Sequence, residues 1–171
     1  MSDIVTFGEI MMRLNPEGYL RFVQANKLEV TFAGGEANAA VALASYGMDA
    51  AFVTKVPDTE IGQSVVNDLR RYGVNTGKIV RGGSRLGIFF VEKGASQRAS
   101  KVIYDRAGSS IATAVPGDFD WKMIFEGAKW FHFTGITPAL GGHLPEICLE
   151  AVKTAKDMGL TVSCDLNYRK K

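Results

Sequence analysis

Short apolar runs alternate with helix-length segments along most of this chain, and this alternation constrains the fold more than any other feature. Predicted strands at 4–10, 28–32 and 50–56 are interleaved with predicted helices at 36–46 and 61–72, and each helix is followed by a glycine. A helix between two strands lets both strands run in the same direction, which favours parallel pairing. The sequence therefore predicts an α/β protein with a mostly parallel sheet flanked by helices.

The middle of the chain interrupts this alternation. Strand-like runs at 78–82, 86–92 and 100–105 are joined by glycine and small polar residues, with no helical pattern between them. Such a passage is typical of antiparallel hairpins, and it predicts a flap of strands inserted into the α/β body. The alternation then resumes with a helix, a strand, a second helix and a final strand that leads into the polar sequence DLNYRKK.

The composition bounds the classes of function. The 171 residues are 46% hydrophobic and 22% charged, which is the balance of a folded globular protein. Lys and Arg number 20 against 18 Asp and Glu, so the charge pattern indicates neither a nucleic-acid partner nor a membrane surface. The N-terminus lacks the features of a signal peptide, and no apolar run reaches the length of a membrane span. We expect a cytoplasmic protein.

The cysteine and histidine residues give no metal-site pattern. Cys148 and Cys164 lack CxxC spacing and are expected to be reduced, buried thiols. His132 lies in an apolar predicted strand and His143 begins a helix, so neither has ligand spacing with the other or with the cysteines. We expect no metal site in this chain.

A pair of glycines, Gly34 and Gly35, stands where a predicted strand meets a helix, and Asn38 follows one turn later. Glycine lets a ligand approach the backbone, and the free N–H groups of a helix N-terminus attract polar or anionic atoms. The stretch contains neither GxGxxG nor GK[ST], which disfavours dinucleotide and Walker-type phosphate sites. A tight turn explains the glycines equally well. It does not explain Asn38, whose amide suits a sugar hydroxyl.

The stretch FAGGEANAAVALASYGMDAAFVTKVPDTEIGQ resembles the N-terminal signature of the PfkB/ribokinase family of carbohydrate kinases. FGEIMMRLNPEG, KVIYDRAGSSIA, KWFHFTGITPAL and SCDLNYRKK are similar to the 2-keto-3-deoxygluconate kinases, so the resemblance covers essentially the whole chain. It implies a ribokinase-like three-layer α/β/α sandwich with an inserted β-lid, whose strands lie at approximately 11–32 and 77–106. It further implies that residues 1–171 form the N-terminal, substrate-binding portion of that fold, truncated on the C-terminal side.

The resemblance also implies roles for particular residues. The predicted sugar contacts come from the glycine pair, the first helix and the lid, and they are Gly34, Gly35, Asn38, Phe89, Tyr104 and Arg106. The end of the final strand is similar to an Asp-x-Asn-x-Arg motif, which would place Asp165, Asn167 and Arg169 between the sugar and the nucleotide phosphates. Arg169 is expected to contact the sugar as well.

Arginine residues favour an acidic sugar. Where ribokinase-type members have an acidic sugar ligand this chain has Arg13, which makes a polyol such as ribose a poorer candidate. A guanidinium matches a carboxylate with two parallel hydrogen bonds, and Arg106 and Arg169 both follow predicted strands. Without the resemblance, the same two residues would be interpreted as ordinary surface arginines or ion-pair partners.

The family transfers a phosphoryl group from ATP with Mg²⁺, and its Gly-Ala-Gly-Asp motif supplies an anion hole and a catalytic base. GAGD does not occur in the 171 residues. We therefore expect the ATP site and the base to lie in a C-terminal half, and the chain alone to bind no nucleotide and to be inactive as a kinase. The resemblance implies a small sugar or sugar acid as substrate and a homodimer joined through the lid. The alternatives are a fructokinase-like enzyme and a non-catalytic carbohydrate-binding module.

Overall fold

The computed structural model describes residues 2–168 of the chain. The strands, in chain order, are β1 (Ile4–Phe7), β2 (Met11–Pro16), β3 (Leu28–Ala33), β4 (Ala50–Val53), β5 (Lys55–Val56), β6 (Val80–Arg81), β7 (Ile88–Glu92), β8 (Lys101–Asp105), β9 (Trp130–Thr134) and β10 (Thr161–Asp165). The helices are α1 (Gly35–Ser45), α2 (Glu60–Arg71), α3 (Trp121–Ile124), α4 (Ile136–Ala139) and α5 (Leu144–Asp157), with a short 3₁₀ helix at Phe22–Gln24. Within the described part of the chain, every helix is too short or too polar to cross a bilayer.

Four parallel strands form the central sheet in the order β10-β9-β1-β4. Successive side chains of a strand point to opposite faces, so each face of this sheet contributes to a separate core. Phe7 of β1 packs with α3 and α5 on one face, whereas Phe52 of β4 packs with α1 and α2 on the other. Helices on both faces of a parallel sheet are the arrangement that the strand and helix alternation predicts.

An aromatic cluster fills the core beneath β1. The Trp121 ring lies 5.0 Å from the ring of Phe7 and 5.4 Å from that of Phe125, measured between centroids. Phe131 of β9 lies 5.0 Å from Phe125. Large buried rings in contact give a rigid core, and this one supports the strands β1 and β9 from which the candidate site is built.

A second sheet, here called the lid sheet, consists of β3, β2, β7 and β8 in that order. The outer pairs β2/β3 and β7/β8 are antiparallel, which was predicted for β7/β8, but the central pair β2/β7 is parallel. The segment that connects β2 to β7 includes α1, β4 and α2 of the α/β body. These two strands are therefore not joined by a hairpin and can run in the same direction. The predicted lid range 77–106 also includes Val80–Arg81, which pairs instead with Lys55–Val56 in a small separate sheet.

The two cysteines differ in exposure, so the expectation that both are buried is wrong for Cys164. Cys148 of α5 is buried, whereas Cys164 of β10 is exposed. Burial raises the pKa of Cys148 to about 12, which keeps this thiol protonated at neutral pH.

We expect a thiol reagent such as DTNB to label one cysteine of the native chain and two after unfolding. Cys164 should react first because it is accessible, although burial also raises its pKa and slows the reaction. The absorbance of the released thiolate gives the number of reactive groups, and Cys164→Ser is the control variant. Rapid labelling of two thiols in native protein would contradict the burial of Cys148.

Candidate functional site

A cleft of about 310 Å³ lies between the central sheet and the lid sheet. Its walls come from segments far apart in the sequence, and they are Glu9, Met11, Ala33, Gly34, Gly35, Glu36, Asn38, Phe89, Tyr104, Arg106, Ile136 and Asn167. Glu9 follows β1 and Asn167 follows β10, so the cleft opens beyond the carboxyl ends of the parallel strands. Ligands of open α/β sheets bind at this end.

The residues predicted as sugar contacts that fall within the described chain all line this one cleft. They are Gly34, Gly35, Asn38, Phe89, Tyr104 and Arg106, and the predicted phosphate-proximal residue Asn167 lines it too. Asp165 fixes the loop beside the cleft, because its Oδ1 accepts a hydrogen bond of 2.8 Å from the backbone N–H of Asn167. The predicted contact Arg169 lies outside the described residues.

The two glycines of the turn between β3 and α1 have different surroundings. Gly34 is the N-cap of α1 and has an extended backbone with φ −168°, which any residue adopts. A Cβ atom there would overlap the carbonyl oxygen of Glu9 and lie 3.1 Å from Cα of Ile10. At Gly35 the nearest atom to a Cβ would be Cγ2 of Thr134 at 3.5 Å, an ordinary contact. Close packing against the segment between β1 and β2 is therefore enough to explain Gly34, in line with the tight-turn alternative.

The lid side of the cleft is aromatic. Phe89 and Tyr104 are cross-strand neighbours whose rings stack at 6.0 Å between centroids. The guanidinium carbon of Arg106 lies 5.7 Å from the centre of the Tyr104 ring, within the range of a cation–π interaction. Rings of this kind offer an apolar surface to the C–H groups of a ligand while leaving its hydroxyls free.

Glu9 is a site residue that the sequence analysis missed. Its side chain is almost fully buried and forms an ion pair with Nη2 of Arg106. Its other oxygen, Oε1, accepts a hydrogen bond of 2.7 Å from the Ser109 hydroxyl. Burial raises the pKa of Glu9 above its ordinary value, although the Ser109 hydrogen bond and the charge of Arg106 oppose that shift. The only sign in the sequence is an acidic residue directly after the first strand-ending glycine.

Glu36 is the second missed residue, and it is 1% exposed. Its Oε1 accepts hydrogen bonds from the Thr134 backbone N–H at 3.1 Å and from the hydroxyls of Thr134 and Thr137 at 2.8 and 2.7 Å. The carboxyl group packs on Gly8, where a Cβ atom would overlap it. An acidic residue in the first turn of a helix is common because it complements the helix dipole, so the sequence does not indicate that this one is buried.

The charges of the cleft differ from the sequence-based expectation. Among the described residues, the carboxyl groups of Glu9 and Glu36 line it together with one guanidinium, that of Arg106, which is already engaged by Glu9. Arg13 lies on β2 opposite Phe89, and its Nε is buried without a hydrogen-bond partner among the described residues. In residues 2–168, no three His, Cys, Asp or Glu side chains are grouped so as to hold a metal ion.

Comparisons with known proteins identify relatives of this chain. The chain is 40% identical over 170 residues to a 2-dehydro-3-deoxygalactonokinase of Haloferax volcanii, covering 99% of this chain and 53% of the relative. It is 27% identical over 169 residues to a 2-dehydro-3-deoxygluconokinase of Bacillus subtilis, covering 98% of this chain and 52% of the relative. The chain therefore spans about half the length of these curated relatives.

A crystal structure of 2-dehydro-3-deoxygluconokinase from Thermotoga maritima superposes with a TM-score of 0.96 at 54% identity, covering 99% of this chain and 52% of that one. This likeness confirms the predicted ribokinase-like α/β fold. The sequence model described as "pfkB family carbohydrate kinase" matches residues 1–171. The chain belongs to the pfkB family of carbohydrate kinases.

Proposed function

We propose that this chain is the sugar-binding portion of an ATP-dependent kinase for 2-keto-3-deoxygluconate, also called 2-dehydro-3-deoxygluconate, or a related sugar acid. The observation that carries the proposal is the convergence of the glycine turn, Asn38, the Phe89/Tyr104 stack and Arg106 on one cleft. The relatives from Haloferax volcanii and Thermotoga maritima are named for kinases of such sugar acids. In this arrangement the Asn38 amide binds hydroxyls and Arg106 binds the carboxylate.

The phosphoryl donor in this proposal is ATP with Mg²⁺. Asn167 is the described cleft residue that follows β10, and its donor and acceptor amide suits either a phosphate oxygen or a sugar hydroxyl. The relatives are about twice as long as this chain, and we assign the nucleotide site and the catalytic base to the corresponding further part. The role of residues 2–168 is then to bind and orient the sugar and to exclude water from it.

The proposed partner of the lid sheet is a second copy of this chain. Apolar side chains of its outer strands remain exposed, and they are Leu28, Val30, Val102 and Ile103. Strands β3 and β8 are edge strands of that sheet, and edges with apolar residues favour pairing or burial against another chain. A homodimer through the lid would cover these groups. We place this assembly in the cytoplasm.

A fructokinase-like function is the second candidate, and the charge of the cleft favours it. Among the described residues that line the cleft, the two carboxyl groups of Glu9 and Glu36 outnumber the single guanidinium of Arg106. Carboxylates accept hydrogen bonds from hydroxyls and repel an acidic ligand. A neutral sugar would therefore meet no repulsion from this wall.

Calorimetric titration of the 171-residue chain with 2-keto-3-deoxygluconate and with fructose tests the proposal. We expect the sugar acid to bind more tightly, and Asn38→Ala to weaken its binding up to about tenfold through the lost hydrogen bonds. Asn67→Ala, which removes an exposed asparagine of α2, is the matched control.

Three outcomes would contradict parts of the proposal. Tighter binding of fructose would support the second candidate instead. A folded chain that binds neither sugar would exclude a sugar-binding role for the chain alone. ATP-dependent turnover by the purified chain would contradict its expected lack of kinase activity.

A further inference from the structure

We propose that Glu9 is a positioning residue, which holds the Arg106 guanidinium in the cleft so that its Nη1 N–H groups face the carboxylate of the sugar acid. This inference rests on the proposed function, because it concerns how a carboxylate is recognised there. It assigns to Glu9 a role through Arg106 and no direct contact with the reacting atoms.

The first support is that the ion pair between Glu9 and Arg106 joins the central sheet to the lid sheet. Glu9 follows β1 of the central sheet, and Arg106 follows β8 of the lid sheet, 97 residues later. Their ion pair is almost fully buried on the Glu9 side, whereas the Arg106 side chain retains 24% exposure. The carboxylate thus stays inside the protein while part of the guanidinium reaches the cleft.

The second support is that the Glu9 carboxylate is fixed at both oxygens. Oε2 accepts from Arg106 and Oε1 accepts from the hydroxyl of Ser109, which is itself 1% exposed. Gly87 of the lid leaves room for this arrangement, because a Cβ atom there would lie only 2.7 Å from Oε1. A carboxylate held in this way cannot follow a mobile arginine, so it determines where the arginine lies.

The third support is the geometry of the guanidinium. The group is planar and rigid, so fixing Nη2 on Glu9 also fixes the direction of Nη1. Tyr104 lies beneath the same group, with its ring centre 5.7 Å from the guanidinium carbon. Without Glu9, this weak ring contact is the restraint on the guanidinium that residues 2–168 would retain, and the side chain would turn toward solvent.

Two simpler roles for Glu9, as a structural ion pair or as a direct sugar ligand, predict experimental results that differ from those of a positioning role. A purely structural ion pair would affect the stability of the chain and leave the choice between acidic and neutral sugars unchanged. A direct ligand of sugar hydroxyls would affect fructose and the sugar acid alike. A positioning role affects the sugar acid selectively and changes Arg106 even when no sugar is present.

The decisive experiment observes Arg106 directly in the ¹⁵N-labelled chain without ligand. Its Nε–Hε resonance, assigned with Arg106→Lys, is expected to be distinct and protected from exchange because Nε is buried. In Glu9→Gln we expect the resonance to move toward those of exposed arginines and its exchange to accelerate about tenfold or more. An unchanged resonance in folded Glu9→Gln would overturn the proposal.

The matched control is Asp105→Asn. Asp105 is the neighbour of Arg106 and pairs with Arg85 at 2.8 Å, but its carboxylate is exposed. This variant removes a carboxylate one residue away and should leave the Arg106 resonance unchanged. If Glu9→Gln fails to fold, Ser109→Ala removes only one restraint on Glu9 and should move the resonance in the same direction by a smaller amount.

A second experiment measures the binding of 2-keto-3-deoxygluconate and of fructose by calorimetric titration. We expect Glu9→Gln to weaken binding of the acid about tenfold and to leave any binding of fructose within about threefold of the wild-type chain. Equal losses for both sugars would overturn the positioning role in favour of direct contact. If the wild-type chain binds neither sugar, the proposed function fails for this chain, and the Arg106 resonance alone then decides how Glu9 acts.

Discussion

Replacing Gly34 by alanine is expected to destabilise the chain by about 3 kcal/mol or more, whereas Gly35→Ala should change stability by less than about 1 kcal/mol. The reason is steric, because Gly34 has an extended backbone that alanine also adopts. Its added methyl group would overlap the backbone oxygen of Glu9, and a backbone atom in the buried segment between β1 and β2 cannot move aside cheaply. At Gly35 the methyl group would meet only a side-chain carbon of Thr134 at 3.5 Å.

Urea unfolding monitored by tryptophan fluorescence measures both changes, and Gly35→Ala is the matched control for Gly34→Ala. The result also separates the two explanations of the glycine pair. A stable Gly34→Ala chain that no longer binds sugar would show that this glycine serves ligand approach. An unstable Gly34→Ala chain would show that this glycine serves the packing of α1 against the segment between β1 and β2.

Much of the fold was accessible from the sequence because it depends on local periodicity. Strand and helix alternation predicted the parallel sheet, and apolar spacing predicted α2, which the structure places at Glu60–Arg71. The parallel pairing of β2 with β7 was not accessible, because it joins segments about 75 residues apart and has no turn chemistry to indicate it.

The candidate site, like the fold, was predictable from the sequence only in part. Gly34, Gly35 and Asn38 form a compact motif, and the resemblance to carbohydrate kinases added Phe89, Tyr104 and Arg106, which line the same cleft. Glu9 and Glu36 were missed because burial of a carboxylate is a property of tertiary packing, whereas acidic residues in sequence are normally assigned to the surface. Their partners lie about 100 residues away, at Ser109 and Thr137.

The ion pair of Glu9 with Arg106 changes how a carboxylate could be bound in the cleft. The resemblance made Arg106 a ligand for a carboxylate, with an ion pair as the alternative, and the structure shows one side of its guanidinium bound to Glu9. The proposed preference for a sugar acid would therefore depend on the N–H groups that remain and on any contribution from Arg169. A site with few available donors should distinguish an acidic sugar from a neutral one through the orientation of those donors. The proposed restraint on Arg106 would therefore affect which sugar binds.

Replacing Glu36 by alanine is expected to destabilise the chain by about 3–5 kcal/mol. Three buried donors, from Thr134 and Thr137, would lose their common acceptor. Glu36→Gln retains an acceptor oxygen and should cost only about 1–2 kcal/mol. Chemical unfolding of both variants provides the measurement.

Glu60→Ala is the matched control for Glu36→Ala, because Glu60 occupies the first turn of α2 and is exposed. Its loss should cost no more than about 1 kcal/mol, the value of a carboxylate at a helix N-terminus. If Glu36→Ala and Glu60→Ala proved equally mild, Glu36 would act only on the helix dipole. A large difference would instead show that Glu36 joins α1 to β9 and α4, and so fixes the wall of the cleft that Gly35, Glu36 and Ile136 share.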